Sequence, residues 1–146
     1  YLYRTPADLE ALLPMNPRIR LVKGAYAEPP SVAIAEKAGV DAAYATLTRT
    51  LLAAAGEGRA GVVLGTHDLD LVALARREAA EHRVPPDRWA IHMLYGIRAA
   101  EQRRLQAEGV PLRVLISYGP AWFPWYMRRL AERPANVWFV VKSLFG

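Results

Sequence analysis

The chain has 146 residues, of which 53% are hydrophobic and 23% charged, and we expect one globular domain over residues 1–146. The absence of cysteine excludes disulfides, thiolate metal sites and a cysteine nucleophile. The formal net charge is +5, but acidic residues are interspersed with the basic ones, so we expect no nucleic-acid partner and favour an anionic small ligand.

The first predicted element is a short helix with Thr5 as its N-cap and Pro6 in its first turn, running through Leu13. Four β-type runs follow, and each is succeeded by a segment with helical periodicity. The runs are residues 19–23, 61–65, 89–94 and 112–117, and the helical segments are residues 41–55, 69–82, 98–106 and 124–132. The first long helix is predicted to begin at an Asp41 N-cap and to stop at Gly56. An apolar segment near 136–145 is predicted to be a closing helix.

This alternation of strands and helices predicts βαβ units and a parallel sheet covered by helices. A complete eight-stranded barrel needs about 250 residues, so the chain holds roughly half of one. Either the chain is a piece of a longer polypeptide, or another copy or another chain covers its strand edges.

The sequence also has no apolar run of roughly 18 or more residues that could span a bilayer, and no secretory leader. We therefore expect a cytoplasmic protein or one peripheral to a membrane.

Polar residues close the first strand. Ligands of parallel α/β folds bind beyond the carboxyl ends of the strands, and here Arg20 and Lys23 lie at that end. A buried cation needs an anionic partner, so a carboxylate or an anionic ligand should face them. For Lys23, a structural salt bridge and a ligand contact remain equal alternatives. Gly24 and Ala25 then form a turn at which backbone N–H groups can approach a ligand.

The second and third strands end in similar groups. Thr66, His67 and Asp68 follow the second strand, where Asp68 is the favoured N-cap of the next helix. His92 lies near the end of the third strand. The chain has only three histidines, and none has the spacing of a metal-ligand set, so we expect no metal site.

The fourth strand leads through Tyr118 into an aromatic segment that carries the adjacent pair Arg128 and Arg129. Adjacent arginines on a helix are usually solvated, but beside aromatic residues they suit a small carboxylate. The aromatic residues themselves fit either a core or the walls of a pocket. No dinucleotide fingerprint, phosphate loop or nucleophile elbow is present.

Taken together, the motifs resemble the flavin-binding barrel of the proline dehydrogenase family, in its short bacterial type. The residues that carry this resemblance are Arg20 to Tyr26 (RLVKGAY), Thr66-His67-Asp68, Met93-Leu94-Tyr95-Gly96, Tyr118-Gly119, Arg128-Arg129-Leu130 and Glu132. The resemblance implies a parallel (β/α)8 TIM-type barrel, of which this chain supplies roughly the second half, about four βα units.

The resemblance further implies FAD as cofactor and oxidation of L-proline to Δ1-pyrroline-5-carboxylate, with electrons passed to a quinone of the bacterial inner membrane. By position, Arg20 resembles the catalytic arginine beside the isoalloxazine. Arg128 and Arg129 resemble the pair that holds the proline carboxylate, and Tyr118 resembles a substrate contact. The residues that resemble other cofactor contacts are Lys23, Gly24, Ala25, Thr66, His67, His92 and Glu132.

The chain departs from the family pattern at several positions. Leu115 replaces an active-site tyrosine, Ser117 replaces a proline, and His92 stands where a glutamine is commoner. The early strands, which in the family carry a lysine and an aspartate at the substrate site, have no counterpart here. One alternative is therefore a non-catalytic or engineered half-barrel that dimerises to complete eight strands. Another is a different barrel enzyme whose cationic pocket accepts a phosphate or carboxylate.

Overall fold

The computed structural model describes residues 1–24 and 28–124. Within them, helices and strands alternate along the chain. The elements are α1 (Thr5–Leu12), a 3-10 turn (Leu13–Met15), β1 (Arg18–Val22), α2 (Lys37–Gly56), β2 (Gly61–Gly65), α3 (Leu69–Glu81), β3 (Trp89–Leu94), α4 (Ala99–Ala107) and β4 (Leu112–Leu115).

The four strands form one parallel sheet in the order β1-β2-β3-β4. Consecutive strands are neighbours throughout, whereas a doubly wound sheet reverses its strand order at a switch point. The register places Val22, Gly65, His92 and Arg113 in one row across the sheet. The sheet is therefore the arc of a barrel wall, as the alternating pattern predicted.

Side chains on the two faces of this arc have different surroundings. One face packs against the helices, and its members Leu64, Ile91 and Met93 are almost completely buried together with Leu51 and Leu52 of α2. The opposite face, which would line the inside of a barrel, is intermediate or exposed. Removing a large core side chain, as in Leu64→Ala, costs about 2 to 5 kcal/mol of folding free energy. The core thus lies between the sheet and the helices, and side chains on the inner face remain available to contact a ligand.

The predicted start of α2 is wrong. The helix begins at Lys37, with Glu36 in the N-cap position and no side-chain cap, so Asp41 lies in the second turn. Asp41 accepts hydrogen bonds from Lys23 and Lys37, which shows that tertiary ion pairing explains its position. The predicted end at Gly56 is confirmed.

The start of α1 is also displaced by one residue. Arg4 occupies the N-cap position and Thr5 is already helical, without a side-chain cap. Arg4 instead pairs with Asp8 one turn later, at 2.7 Å. Local ion pairing therefore takes the place of the predicted threonine cap.

The other predicted boundaries agree closely with the structure. The bounds of β2 and β3 are confirmed, β1 is shifted by one residue, and β4 ends at Leu115, two residues earlier than predicted. The predicted helix over 124–132, beyond Pro124, and the predicted closing helix near 136–145 lie outside the described residues.

Within residues 1–24 and 28–124, no helix has both the length and the apolar character needed to cross a membrane.

Candidate functional site

Three basic side chains gather on the inner face of the sheet: Arg20 of β1, His92 of β3 and Arg113 of β4, here called the basic cluster. His92 and Arg113 are register partners on adjacent strands. Burial lowers the pKa of His92 below its ordinary value, and the charges of Arg20 and Arg113 lower it further. The cluster is therefore cationic through its two arginines, with a neutral imidazole favoured between them.

Gly65 provides the space for Arg20 within this cluster. A Cβ atom at this position would lie 3.0 Å from Nη2 of Arg20 and 3.2 Å from its Cζ. The guanidinium therefore lies against the backbone of β2, the strand between β1 and β3. A glycine here allows a closer approach than any side chain would permit.

Arg113 is a basic residue of this cluster that the motifs of the sequence do not include among the predicted site residues. Residues two apart on a strand share a face, so Arg113 and Leu115 belong together on the inner side. Strand alternation alone was enough to place Arg113 there. His92 and Arg113 also line a cleft of about 330 Å³ that reaches Asp87 and Pro111, before the starts of β3 and β4.

Lys23 lies outside the basic cluster, in a network of carboxylates. Its Nζ is 2.5 Å from Oδ1 of Asp41 and 2.9 Å from Oδ2 of Asp68. Burial opposes the charged amine, but hydrogen bonds to Asp41 and Asp68 outweigh this effect, and the pKa of Lys23 lies above its ordinary value. Of the two alternatives for Lys23, the structure contains the salt bridge.

Asp68 is the N-cap of α3, as predicted, and its two oxygens serve different partners. Oδ1 accepts the backbone N–H of Asp70 at 3.1 Å, and Oδ2 accepts Lys23. The backbone N–H of Asp68 donates to Oγ1 of Thr66, which is buried. Burial alone would raise the pKa of Asp68, but the contact with Lys23 and the backbone N–H groups lower it overall. Thr66 and Asp68 thus build the turn that holds His67.

His67 is fixed by a backbone donor from the neighbouring strand. The N–H of Leu94 donates to Nε2 of His67 at 3.2 Å. Burial, and secondarily the charge of Arg98, lowers the pKa of His67 to about 4. Among the described residues, no hydrogen-bond partner reaches the buried Nδ1 of His67, and the same holds for Nδ1 of His92. Buried polar atoms are normally paired, and these two nitrogens are exceptions within the described ranges.

Gly24 adopts a left-handed conformation, with φ at +96°. A Cβ atom here would lie 2.0 Å from Cε1 of Tyr1, so the Tyr1 ring packs directly on the glycine backbone. The predicted small-residue turn is therefore present at Gly24, with an aromatic ring against it. Ala25 lies outside the described residues.

Tyr118 lies beyond β4 and is 89% exposed. With Leu115, Ile116 and Trp122 it lines an apolar cavity of about 450 Å³. Trp122 and Phe123 pack edge to face, with ring centroids 5.6 Å apart, and both are exposed. These two aromatic residues therefore belong to a surface at the end of β4 and are not core. Trp125, Tyr126, Arg128, Arg129 and Glu132 lie outside the described residues.

Within the described ranges, no three histidine or acidic side chains are grouped to hold a metal ion. The arrangement instead offers two arginine charges on the inner face of the sheet, with the imidazole of His92 close to both. Donors of this kind suit an anionic ligand with several hydrogen-bond acceptors.

Comparisons with known proteins identify the family and the fold. A family model described as Proline dehydrogenase matches residues 13–142. Proline dehydrogenase 1 of Bacillus subtilis (strain 168) is 40% identical over 144 residues, which are 99% of this chain and 46% of that protein. Proline dehydrogenase of Deinococcus radiodurans is also 40% identical, with 99% and 45% covered. The chain thus spans about half the length of the curated relatives it matches.

A solved structure shares the fold. This is proline utilization A (PutA) from Bdellovibrio bacteriovorus, inactivated by N-propargylglycine, with a TM-score of 0.76 over 89% of this chain and 15% of that one. The sequence identity is 22%, so this likeness concerns the fold alone. It confirms the predicted fold class, a parallel TIM-type barrel of which this chain supplies a part.

Proposed function

This chain belongs to the proline dehydrogenase family, and from that premise we propose that it supplies the second half of an FAD-dependent proline dehydrogenase barrel. The proposed reaction oxidises L-proline to Δ1-pyrroline-5-carboxylate and passes the electrons to a quinone. The observation that carries the proposal is the basic cluster of Arg20, His92 and Arg113 on the inner face of the sheet, the face that lines the inside of a barrel.

The residues of the inner face fit FAD by their chemistry. The flavin ring and the pyrophosphate are rich in acceptors, and Arg20, Arg113, His67 and His92 offer donors or positive charge. When bound, FAD supplies the acceptor for a hydride from the proline carbon next to nitrogen. Arg20 stabilises negative charge on the ring system, because a preorganised cation in a water-poor site is more effective than in bulk water.

We assign the substrate carboxylate to Arg128 and Arg129, with Tyr118 as a further substrate contact. Two guanidiniums can hold a carboxylate in a fixed orientation, and positioning of this kind contributes about 7 to 11 kcal/mol to catalysis. Glu132 is proposed to lie near the ribose or adenine of the cofactor. These assignments rest on the family resemblance, together with the aromatic surface at the end of β4 that precedes the arginine pair.

The contacts of Lys23 suggest a specific role within this proposal. Because Nζ already pairs with Asp41 and Asp68, we assign the side chain to holding the ends of β1 and β2 together. Gly24 and Ala25 stay assigned to backbone contacts with the cofactor, and Thr66 to shaping the turn that presents His67.

The proposed partner is the remaining half of the barrel. In the described sheet, β1 and β4 are the outer strands, and a closed barrel gives each of them a second neighbour. Another part of a longer chain or a second copy of this one would serve. Residues 1–146 then act as one unit of that barrel, in the cytoplasm or at the inner surface of the bacterial membrane where the quinone lies.

A chimera tests the proposed activity. This chain replaces the stretch of Bacillus subtilis proline dehydrogenase 1 that it matches, and the purified protein is examined for bound FAD. We expect a yellow protein whose flavin absorbance is bleached by proline. A folded chimera that binds no flavin, or whose flavin ignores proline, contradicts the proposal.

Two arginines of β1 provide a matched comparison in the same chimera. Arg18 and Arg20 are both exposed on the inner face, but Arg18 donates to the Asp87 carbonyl and only Arg20 belongs to the basic cluster. Arg20→Gln is expected to lower proline-dependent flavin reduction, whereas Arg18→Gln should leave it nearly unchanged. Equal effects would remove the assignment of Arg20 as the catalytic arginine.

A non-catalytic half-barrel is the second candidate. Leu115 offers no hydroxyl where the family has a tyrosine, and it is 38% exposed at the end of β4. Under this reading the isolated chain forms stable dimers in the absence of flavin and takes up none on incubation. Light scattering and an absorbance spectrum after addition of FAD separate the two candidates.

A further inference from the structure

Gln102 is a buried polar side chain of α4, with 8% of its surface exposed. Its Nε2 donates to the carbonyls of Leu94 and Ile97, at 2.8 and 2.7 Å. Both neighbours are acceptors, so only the amide nitrogen can face them. Gln102 therefore fastens the turn between β3 and α4 at its two ends.

The same Leu94 residue contacts His67 through its N–H. The carbonyl of Leu94 accepts from Gln102, and its N–H donates to Nε2 of His67 at 3.2 Å. A backbone N–H can only donate, so Nε2 must present its lone pair. In a neutral imidazole the proton then resides on Nδ1. Gln102 and His67 are thus linked through a single residue at the end of β3.

The ring of His67 is held neutral by its surroundings. Burial, followed by the charge of Arg98, lowers its pKa to about 4. The proton-bearing Nδ1 is buried, and no residue in the described part of the chain accepts from it. A buried donor without an acceptor is unfavourable, so the Nδ1–H form is retained only if a specific contact at Nε2 favours it.

We propose that Gln102 is a positioning residue: by holding Leu94 it fixes the neutral imidazole of His67 as the Nδ1–H tautomer. The tautomer and its dependence on Gln102 do not rest on the proposed function. A chimera that binds no flavin would contradict the proposed function but not the tautomer of His67. An unexpected tautomer would contradict the role of Gln102 but not the proposed function.

A purely structural role for Gln102 makes a different prediction. If Gln102 only stabilises the turn, its loss lowers the free energy of unfolding and leaves the tautomer of His67 unchanged. Nitrogen NMR of the imidazole distinguishes the two roles, because protonated and unprotonated ring nitrogens have well-separated chemical shifts. The 146-residue chain has three histidines, so His82→Gln and His92→Gln suffice to assign the signals of His67.

In the wild-type chain near neutral pH we expect His67 as the Nδ1–H form, whereas free neutral histidine favours Nε2–H. Gln102→Met keeps the length of the side chain and removes both donors, and we expect it to shift the population toward Nε2–H. Gln106→Met is the matched control, because Gln106 lies on the same helix and is exposed. A wild-type His67 in the Nε2–H form, or a folded Gln102→Met chain that retains Nδ1–H, overturns the proposal.

Gln102→Glu gives a second test that does not depend on the methionine variant folding. Burial raises the pKa of the introduced carboxyl, and in its protonated form it still donates one hydrogen bond. We expect the Nδ1–H tautomer to persist while this carboxyl is protonated and to decline as it ionises. A tautomer that stays constant through that ionisation overturns the role of Gln102.

Discussion

Nζ of Lys23 lies 2.9 Å from Oδ2 of Asp68, and this contact joins the end of β1 to the N-cap of α3. The same ammonium contacts Asp41 on α2, so one cation ties three elements together at the edge of the sheet where the candidate site lies. The side chains of Lys23 and Asp68 are 21% and 30% exposed, which limits solvent screening without removing it.

Replacing this cation should destabilise the fold. Lys23→Met leaves Asp41 and Asp68 without their shared partner, and we expect a loss of about 1 to 2 kcal/mol in the free energy of unfolding. Lys37→Met is the matched control, since Lys37 also pairs with Asp41 but is 82% exposed, and its loss should cost less than about 0.5 kcal/mol. Urea denaturation measures both, and equal costs would contradict the tertiary role of Lys23.

Stability should fall in mild acid because of His67. Its pKa is about 4 in the folded chain, against an ordinary value of 6.5, so the unfolded chain takes up the proton first. The contribution of neutral His67 to the free energy of unfolding is complete above pH 6.5, the ordinary pKa. It decreases as the pH falls from 6.5 toward 4, by up to about 3 kcal/mol.

His67→Gln should flatten this pH dependence in urea titrations. Part of the dependence should remain, because the pKa of His92 is also lowered. An undiminished dependence in His67→Gln would mean that His67 is not the group responsible.

The basic cluster can be tested through His92. Its pKa is lowered first by burial and then by the charges of Arg20 and Arg113. Arg113→Gln should therefore raise the pKa of His92 toward its ordinary value, as followed by NMR titration. Arg103→Gln is the control, because Arg103 is an exposed arginine on α4, and it should leave the pKa of His92 unchanged.

Substitutions at two glycines distinguish the cost of an unfavourable backbone conformation from the cost of a steric clash. Gly58 and Gly24 both have positive φ, but a Cβ at Gly58 meets nothing within 4 Å, whereas one at Gly24 would meet Tyr1 at 2.0 Å. Gly58→Ala should cost about 1 kcal/mol from conformation alone. Gly24→Ala should cost more, because the Tyr1 ring must also move, and thermal unfolding of the two variants gives the difference. Equal costs would indicate that the Tyr1 contact contributes little.

The proposed carboxylate pair predicts a substrate effect. In the chimera with the Bacillus relative, Arg128→Ala or Arg129→Ala should each weaken proline binding roughly tenfold or more, because a charge-assisted hydrogen bond is lost. Steady-state kinetics against proline concentration measures this effect, with Arg103→Ala as the control. Unchanged kinetics in both pair variants would remove the assignment.

Local patterns were sufficient to predict the alternating strands and helices, including the bounds of β2 and β3. They failed at Asp41, which resembles an N-cap in sequence but lies in the second turn of a longer helix. Capping preferences depend on neighbouring residues, so they do not predict the salt bridge between Asp41 and Lys23, which lies 18 residues earlier in the chain. For Arg113, strand alternation predicts a position on the inner face, but only the register of β3 and β4 places it beside His92.

The sequence by itself determined the family, the fold class and the polar character of the strand ends, because these depend on local patterns and short motifs. Tertiary structure decided which carboxylates meet Lys23 and which nitrogen of His67 accepts the backbone N–H of Leu94. Those partners lie 45 residues apart for Lys23 and Asp68 and 27 residues apart for His67 and Leu94. Only the parallel register of the sheet brings such distant groups within hydrogen-bonding distance, and no local preference encodes that register.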